Sequence, residues 1–263
     1  MTIFHTIILG ILEGITEFLP VSSTGHLLLA SNLFGISDTT FTSLFIVVIQ
    51  FGAILSVISI FFKSICKKGM IEALIAAFIP TAIVGYLLYT LIKSFLFHNL
   101  FVIASAWVVG GALILFFDSR YSAKNEGENT SENNIPTVRH AFLIGLAQSF
   151  AVIPGVSRSL ATILAGESLG MSRENIVRFS FLLAVPTIGA ASLYDLYKSY
   201  NSISWHNEEI MLLGIGFVTA WISAYIVTRW FLAYVRTHSF KLFGWYRIAI
   251  GGVLLIALLL GFT

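Results

Sequence analysis

The sequence predicts an all-α polytopic membrane protein with six transmembrane helices and two re-entrant helical hairpins in an inverted repeat. Of its 263 residues, 57% are hydrophobic and only 11% are charged, whereas a soluble domain has about 25% charged residues. Two polar stretches interrupt the apolar pattern: EGITEFLPVSSTGH from Glu13 to His26, and PGVSRSLAT from Pro154 to Thr162. Each lies between hydrophobic runs that are too short to cross a bilayer.

Six apolar runs have roughly the 20 residues that a membrane-spanning helix needs. They are Leu44–Phe62, Ala73–Ile92, Leu100–Phe117, Phe179–Tyr197, Ile210–Thr228 and Trp245–Phe262. Pro80 and Pro186 fall inside two of these runs, which transmembrane helices tolerate. Cys66 is the only cysteine, so a disulfide framework is excluded. The sequence shows no nucleic-acid footprint.

Four shorter apolar pieces predict the two hairpins. They are Ile3–Leu12, Leu27–Phe34, Ala141–Ile153 and Ser159–Leu169. Prolines and glycines between the pieces of each pair indicate broken helices. Lipid tolerates a broken helix only where its backbone is buried in protein or lines a cavity.

Lysine and arginine residues are unevenly distributed among the connecting segments. They are dense after the first span, in the middle loop, before the fourth span, and between the last two spans, where Arg229, Arg236, Lys241 and Arg247 lie. The positive-inside rule places these segments in the cytoplasm and both termini outside. The polar loop that begins at Ser119 is interpreted as a mobile linker.

The two halves of the single domain resemble each other. Pro20-x-x-Ser23 matches Pro154-x-x-Ser157 at an offset of 154 − 20 = 134 residues. We therefore predict a first repeat at 1–118, a linker at 119–138 and a second repeat at 139–263. Three crossings per half make the second copy inverted, and inverted repeats with broken helices place a binding site near the bilayer midplane.

Glu13 and Glu17 are four residues apart, so they share one face of a helix. Apolar residues surround both, which favours a functional pair over a solvated helix face. Two carboxylates, completed by phosphate oxygens and water, suit Mg²⁺ or Ca²⁺. Alternatively, a carboxylate in a partly dry site accepts a proton during catalysis.

The polar cluster after Pro20 combines an anion site with reactive groups. Ser22, Ser23 and Thr24 predict an N-cap for a helix that begins near Gly25. The free N–H groups of a helix N-terminus favour phosphate. His26 follows Ser23 by three residues, so the imidazole either activates this hydroxyl or protonates a leaving group.

Arg158 follows a Pro-Gly break, and the sequence has no other lysine or arginine between Arg139 and Arg173. An arginine at membrane depth needs an anion, and its planar group binds phosphate through two parallel hydrogen bonds. A structural ion pair with a glutamate is the alternative. Nearby hydroxyls either donate to phosphate or cap the second half-helix: Ser157, Ser159 and Thr162.

Two further polar residues receive structural interpretations. Glu167 lies in an apolar run and is interpreted as reaching the cytoplasmic interface. Gln50 lies in the middle of a span, where we expect it to hydrogen-bond to another helix.

At these residues the chain resembles the undecaprenyl-diphosphate phosphatases of the bacitracin-resistance type. EGITEFLPVSSTGHL and PGVSRSxxT are similar to the two signatures of that family, and FxxVIQxGAILSV and FSFLLAVP…LYDLYKS extend the resemblance over nearly the whole chain. The resemblance implies an acidic pair at Glu13 and Glu17, a catalytic hydroxyl and imidazole at Ser23 and His26, and a phosphate-binding arginine at Arg158.

The resemblance also implies a divalent cation, undecaprenyl diphosphate as substrate, and a bacterial plasma-membrane location with the site open to the extracytoplasmic side. A homodimer among the membrane lipids is a further expectation. Leu160 departs from the family pattern, which usually has glycine at this place, and so affects the expected pose of Ser159 and Thr162.

The sequence therefore predicts a lipid-diphosphate phosphatase that releases inorganic phosphate and leaves the lipid monophosphate. Either Ser23 or a water molecule attacks the terminal phosphorus. A phosphatidic-acid type of phosphatase fits poorly, because that signature needs a lysine and an arginine before its Ser-Gly-His, and here none precedes His26. The alternative function is a transporter or flippase for a lipid phosphate, since inverted repeats and broken helices are typical of transporters.

Overall fold

The computed structural model describes residues 1–37, 39–91, 99–124, 135–199 and 207–261. Within these ranges the chain forms ten α-helices and no strand. The helices are α1 (Ile3–Thr16), α2 (Ser23–Leu33), α3 (Thr40–Ile65), α4 (Lys68–Leu91), α5 (Leu100–Lys124), α6 (Val138–Gln148), α7 (Arg158–Ser168), α8 (Arg173–Ser199), α9 (Asn207–Val235) and α10 (Lys241–Leu259). A 3₁₀ turn, Ser149–Val152, continues α6.

The prediction of six membrane-spanning helices is confirmed. In the described part of the chain, α3, α4, α5, α8, α9 and α10 are long and apolar enough to cross a bilayer. Most of these helices extend beyond the predicted runs, because helical hydrogen bonding continues into the polar headgroup region. The predicted ends at Ile92 and Phe262 lie outside the described residues.

The four shorter helices form two hairpins. Helix α1 has 14 residues, and α2, α6 and α7 have 11 residues each. At 1.5 Å per residue, none reaches the roughly 30 Å of a hydrocarbon core. The predicted hairpins are therefore present, with their turns at residues 17–22 and 153–157.

The most extensive helix contacts join the two halves of the chain. Helix α1 packs on α9, and α6 packs on α4. Helix α3 pairs with α8, and α5 pairs with α10. A two-fold relation between the halves would give this exchange of partners, although the inverted repeat itself stays a prediction. The turn of the first hairpin meets the start of α7 inside the bundle, where the Ser159 hydroxyl donates to the Leu19 carbonyl.

The outward faces of the long helices are apolar. On α4, Ile75, Ile79 and Ile83 recur at every fourth position and are exposed. An exposed apolar surface of this kind suits lipid contact. Gln50 instead faces α8, where the Ser192 hydroxyl donates to its Oε1 at 3.2 Å. The prediction that Gln50 hydrogen-bonds to another helix is confirmed.

One end of the bundle gathers charged residues from several helices. Arg173 binds Asp118 at 2.7 Å and Glu167 at 2.9 Å, and Arg236 binds Glu174 at 2.7 Å. Glu167 is buried and paired with Arg173 at this end of the bundle, and its position at the cytoplasmic interface stays a prediction. The arginine-rich ends of α8 and α9 therefore lie together.

Helix α5 continues to Lys124, so the segment predicted as a linker from residue 119 is helical at its start. Its end is also ordered, since Thr137 accepts a hydrogen bond from the backbone N–H of His140 as the N-cap of α6. Residues 125–134, the middle of the predicted linker, lie outside the described residues.

Candidate active site

The turn of the first hairpin meets the start of α7 at Glu17. Its carboxylate Oε2 accepts a hydrogen bond from the Ser23 hydroxyl at 2.5 Å. Its other oxygen, Oε1, accepts one from the Arg158 guanidinium Nη2 at 3.0 Å. One buried carboxylate thus joins a hydroxyl of the first half to a cation of the second half.

Two serines with unusual backbone conformations precede the half-helices α2 and α7. Ser22 has φ 73° and Ser157 has φ 77°, and each is the N-cap of its helix. The Ser157 hydroxyl accepts a hydrogen bond from the Leu160 N–H, whereas the Ser22 hydroxyl makes no capping bond. Left-handed backbone at a residue other than glycine is costly and clusters at functional sites.

These caps bear on two sequence-based expectations. One of the three predicted residues, Ser22, is the N-cap of α2, and the helix begins at Ser23, two residues before the predicted start near Gly25. The two caps are 157 − 22 = 135 residues apart, one more than the offset of the proline motifs. Aligned on the caps, Ser23 corresponds to Arg158, so each half-helix begins with a residue that binds Glu17.

Arg158 is held from three directions. Its Nη1 donates to the Ser180 carbonyl at 2.7 Å and to the Ser180 hydroxyl at 3.3 Å, while Nη2 binds Glu17. The guanidinium also lies 5.8 Å from the centre of the Phe18 ring. Its Nε–H is buried without a partner among the described residues. Two donors of Arg158 are therefore available to a phosphate: the unpaired Nε–H, and Nη2 if it leaves Glu17.

The Glu13 carboxylate is wholly buried, and neither of its oxygens has a hydrogen-bond partner in the described part of the chain. Glu13 lies one helical turn before Glu17, which is the C-cap of α1. Buried carboxylates are normally paired or bound to a metal. The unsatisfied oxygens of Glu13 therefore fit the predicted divalent cation.

The described residues contain no cluster of three or more histidine, cysteine, aspartate or glutamate side chains arranged for a metal. Glu13 and Glu17 would thus supply two ligands only. Mg²⁺ is commonly bound in this way, with one or two carboxylates and with substrate phosphates and water as the remaining ligands.

His26 contacts groups other than Ser23. Its Nδ1–H donates to the Ser22 carbonyl at 2.7 Å, since a carbonyl can only accept. Its Nε2 pairs with the Tyr246 hydroxyl at 2.7 Å. The imidazole also packs against the Trp107 ring, with the ring centres 4.7 Å apart. Ser23 is therefore paired with Glu17, and His26 with a tyrosine of α10.

The remaining predicted phosphate donors are engaged within the protein. The Ser159 hydroxyl donates to the Leu19 carbonyl at 2.7 Å, and the Thr162 hydroxyl binds the Ser180 hydroxyl at 2.7 Å. A hydroxyl has a single proton, so these contacts compete with donation to phosphate. They hold the second hairpin against the first turn and against α8.

Thr24 and Gly25 follow Ser23 in the first turn of α2. Thr24 is half-buried. A Cβ atom at Gly25 would lie 2.6 Å from the Trp107 ring, so glycine permits this close packing. The prediction that the backbone N–H groups of this first turn bind an anion stays a prediction.

Sequence reasoning missed Ser180, Tyr246 and Arg247. The positive-inside argument counts Arg247 with the cytoplasmic charges between the last two spans, but it is a buried residue of α10 that donates to backbone carbonyls. The predicted span Trp245–Phe262 already contains this residue, and that was the available signal. Ser180 and Tyr246 carry no such signal, because isolated hydroxyls are common in membrane helices.

Fold and site together define a class: a multi-pass membrane protein whose two broken-helix hairpins join buried carboxylates, a serine and an arginine in a site suited to a phosphate ester. The chain belongs to the family of bacitracin resistance protein BacA, whose model matches residues 6–253.

Relatives in this family cover the chain almost from end to end. The undecaprenyl-diphosphatase of Aquifex aeolicus (strain VF5) is 46% identical over 252 residues, which are 95% of this chain and 96% of the relative. That of Sulfurihydrogenibium sp. (strain YO3AOP1) is 44% identical over 254 residues, with 95% and 97% covered. That of Bdellovibrio bacteriovorus is 42% identical over 263 residues, with 99% and 98% covered.

Proposed function

We propose that this protein is an undecaprenyl-diphosphatase, which hydrolyses undecaprenyl diphosphate to the monophosphate and inorganic phosphate. In the bacterial plasma membrane this reaction recycles the lipid carrier of cell-wall synthesis and confers bacitracin resistance. The observation that carries the proposal is the contact of Glu17 with both Ser23 and Arg158. It unites a nucleophile, a proton acceptor and a phosphate-binding cation in one buried site. Family membership and full-length similarity support the same activity.

The geometry favours Ser23 as the nucleophile and Glu17 as its base. In the first step the Ser23 hydroxyl proton passes to Glu17 while the hydroxyl oxygen bonds to the terminal phosphorus. The bond from that phosphorus to the bridging oxygen breaks, and the lipid monophosphate leaves. Water then hydrolyses the phosphoserine, which releases inorganic phosphate and regenerates the Ser23 hydroxyl.

Arg158 stabilises the charge that develops on the transferred phosphoryl group. Its planar guanidinium is already oriented by Ser180. Its Nη2 can exchange Glu17 for a phosphate oxygen, which would leave Glu17 free to accept the serine proton. The N–H groups at the start of α2 contribute further donors.

His26 and Tyr246 lie on the side of α2 that faces α10. Their hydrogen bond holds the imidazole in a fixed orientation. When the imidazole is also protonated at Nε2, that N–H donates to the Tyr246 oxygen and the Tyr246 hydroxyl is free to donate to the departing lipid monophosphate, so the pair is the candidate general acid. Because His26 makes no contact with the Ser23 hydroxyl, we assign it to the leaving group and not to the nucleophile.

A divalent cation, held by Glu13 and Glu17, would neutralise part of the diphosphate charge. The Glu13 oxygens, which are buried without a hydrogen-bond partner among the described residues, support this assignment. Arg158 and the cation would thus share the charge of the bound diphosphate.

A groove between α2 and α10 is the proposed site of the prenyl chain. It has a volume of about 620 Å³ and an apolar lining that includes Leu29, Leu33, Ile250 and Val253. Leu29 lies one helical turn after His26, and Ile250 lies one turn after Tyr246. The groove therefore begins next to the candidate acid, which places the lipid on the leaving-group side of the phosphorus.

Phosphate release by the purified protein in detergent tests the proposal, with undecaprenyl diphosphate as substrate. We expect stoichiometric inorganic phosphate and lipid monophosphate, and we expect Glu17→Gln to abolish both. Detergent removes the membrane sidedness on which transport depends. A folded protein that releases no phosphate, yet moves the lipid across vesicle membranes, would instead favour the transporter function.

A further inference from the structure

Arg247 is a buried residue of α10 that has no acidic partner among the described residues. Its side chain is 1% exposed, and no described carboxylate lies within ion-pair distance. An arginine at membrane depth is costly and is usually retained for a function. The hydrogen bonds of Arg247 indicate what its function is.

The guanidinium of Arg247 donates to the turns of both hairpins. Its Nη1 donates to the Pro20 carbonyl at 3.2 Å, and its Nη2 donates to the Gly155 carbonyl at 2.8 Å. Further bonds to the carbonyls of Ala106 at 2.8 Å and Trp107 at 3.4 Å fix the group against α5. Broken helices leave such carbonyls unsatisfied in a membrane, so one side chain completes both turns.

The two carbonyls occupy equivalent places in their hairpins. Pro20 precedes Ser23 by three residues, and Gly155 precedes Arg158 by three residues. Ser23 and Arg158 are the first residues of α2 and α7. The separation of the two carbonyls therefore sets the separation of the nucleophile from the phosphate-binding cation.

We propose that Arg247 is a positioning residue that fixes the spacing between Ser23 and Arg158 by joining the two hairpin turns. The inference rests on the proposed phosphatase function. Arg247 acts through the turns and touches neither phosphate nor Ser23. The planar guanidinium can reach two turns at once, whereas the compact ammonium of lysine carries its donors at one point.

The first test is the kinetics of Arg247→Lys and Arg247→Met in detergent. A misplacement of about 1 Å can cost about 100-fold in rate. We expect kcat to fall by that order in both variants, with KM nearly unchanged, because substrate binding by Arg158 is retained. Wild-type KM and kcat in the same detergent are the reference.

Two glycines of the α5–α10 interface provide a second test and its matched control. A Cβ atom at Gly110 would collide with Nη2 of Arg247, so Gly110→Ala displaces the guanidinium without changing it. We expect it to reproduce the loss of kcat. A Cβ atom at Gly244 would meet Leu115 at 2.9 Å and lies away from the turns. Gly244→Ala should therefore lower the melting temperature but keep kcat.

A distance measurement tests the inference without activity. Spin labels on Thr24→Cys and Val156→Cys, one beside each turn, are placed in a Cys66→Ser background. We expect a narrow distance distribution that broadens in Arg247→Met and is unchanged in Gly244→Ala. This readout separates the inference from the proposed function: a wild-type protein that releases no phosphate refutes the function, while the distances still decide the spacing.

Three results would overturn the inference. One is an unchanged distance distribution together with full kcat in Arg247→Met. Another is a rise in KM at constant kcat, which would make Arg247 a binding charge. The third is an equal loss of kcat in Gly244→Ala at equal melting temperature, which would make the effect one of global packing.

Discussion

At the residue scale, the central feature is the use of both Glu17 oxygens. Oε2 accepts from Ser23, and Oε1 accepts from Arg158. Ser180 fixes the far side of the Arg158 guanidinium. These partners leave little freedom to the reacting groups, and such preorganisation is the main source of catalysis in phosphoryl transfer.

We predict that Arg158→Lys loses most activity although the charge is kept. Lysine cannot bind Ser180 and a phosphate oxygen through one planar group. Loss of one strong donor in a dry site raises the barrier by about 2.7–4 kcal/mol, or about 10²–10³-fold in kcat. The control is Arg236→Lys, whose arginine also pairs with a glutamate, but at the exposed end of the bundle. Near-normal turnover of a folded Arg158→Lys protein contradicts the assignment.

We predict that Glu13→Gln weakens the binding of a divalent cation. The amide keeps the shape of the side chain but removes its charge. We expect half-maximal activity to need at least about ten-fold more Mg²⁺ or Ca²⁺. Even the loss of a residue that only supports a metal ligand typically weakens metal binding by this factor. Activity is titrated with cation after chelation, and isothermal calorimetry measures binding directly. The exposed Glu72→Gln is the control. Full wild-type activity in excess chelator would refute the cation site and leave direct acid–base roles for Glu13 and Glu17.

At the element scale, the two half-helices start in similar ways but are capped differently. Ser157 caps α7 with its hydroxyl, and Ser22 precedes α2 with no capping bond. The hydroxyl of Ser22 is thus free of a local structural role.

We predict that Ser157→Ala destabilises the protein and that Ser22→Ala does not. Loss of a serine cap costs about 1 kcal/mol, while alanine keeps the backbone strain of both positions. Melting temperatures in one detergent compare the variants. Equal losses would show that the hydroxyls play equivalent parts. A stable Ser22→Ala protein with reduced activity would assign that hydroxyl to the substrate.

We predict that Val253→Trp blocks the lipid groove between α2 and α10. Losing the burial of two methylene groups costs about 1.6 kcal/mol, so KM for the long-chain substrate rises about ten-fold. The rate kcat stays unchanged, because the groove does not touch the phosphorus. The control is Val218→Trp, which adds the same side chain at an exposed position of α9, away from the groove. An equal KM in both variants would place the prenyl chain elsewhere.

At the scale of the whole molecule, the basic ends of several helices meet at one end of the bundle. Arg173 and Arg236, from different helices, pair with acids there. The positive-inside rule assigns this end to the cytoplasm. Ser37 and Cys66 flank α3 at its two ends, and both are exposed.

We predict that Ser37 faces outward and Cys66 faces the cytoplasm. With a membrane-impermeant maleimide on intact cells, Ser37→Cys in a Cys66→Ser background should react. The native Cys66 should react only after permeabilisation. The opposite pattern would invert the topology, and the enzyme would then meet its substrate at the inner leaflet.

Much of the fold and of the site could be predicted from the sequence. Apolar runs long enough to span a bilayer allow few alternatives to helices, because every backbone group must be paired in lipid. Polar residues stand out in such runs, which is why Glu13, Glu17, Ser23 and Arg158 were recognised. Arg247 was not, since it lies near the start of its predicted span and was counted with the basic residues of the preceding loop.

The sequence by itself determined the class of protein, its spans and the residues at membrane depth, because the bilayer makes each exception to hydrophobicity costly. Only the tertiary structure decided which residues meet. Ser23 pairs with Glu17 and not with His26, and Arg247 joins the turns of both halves. These contacts link residues up to 227 positions apart, so they depend on how the two halves pack, which no local sequence pattern encodes.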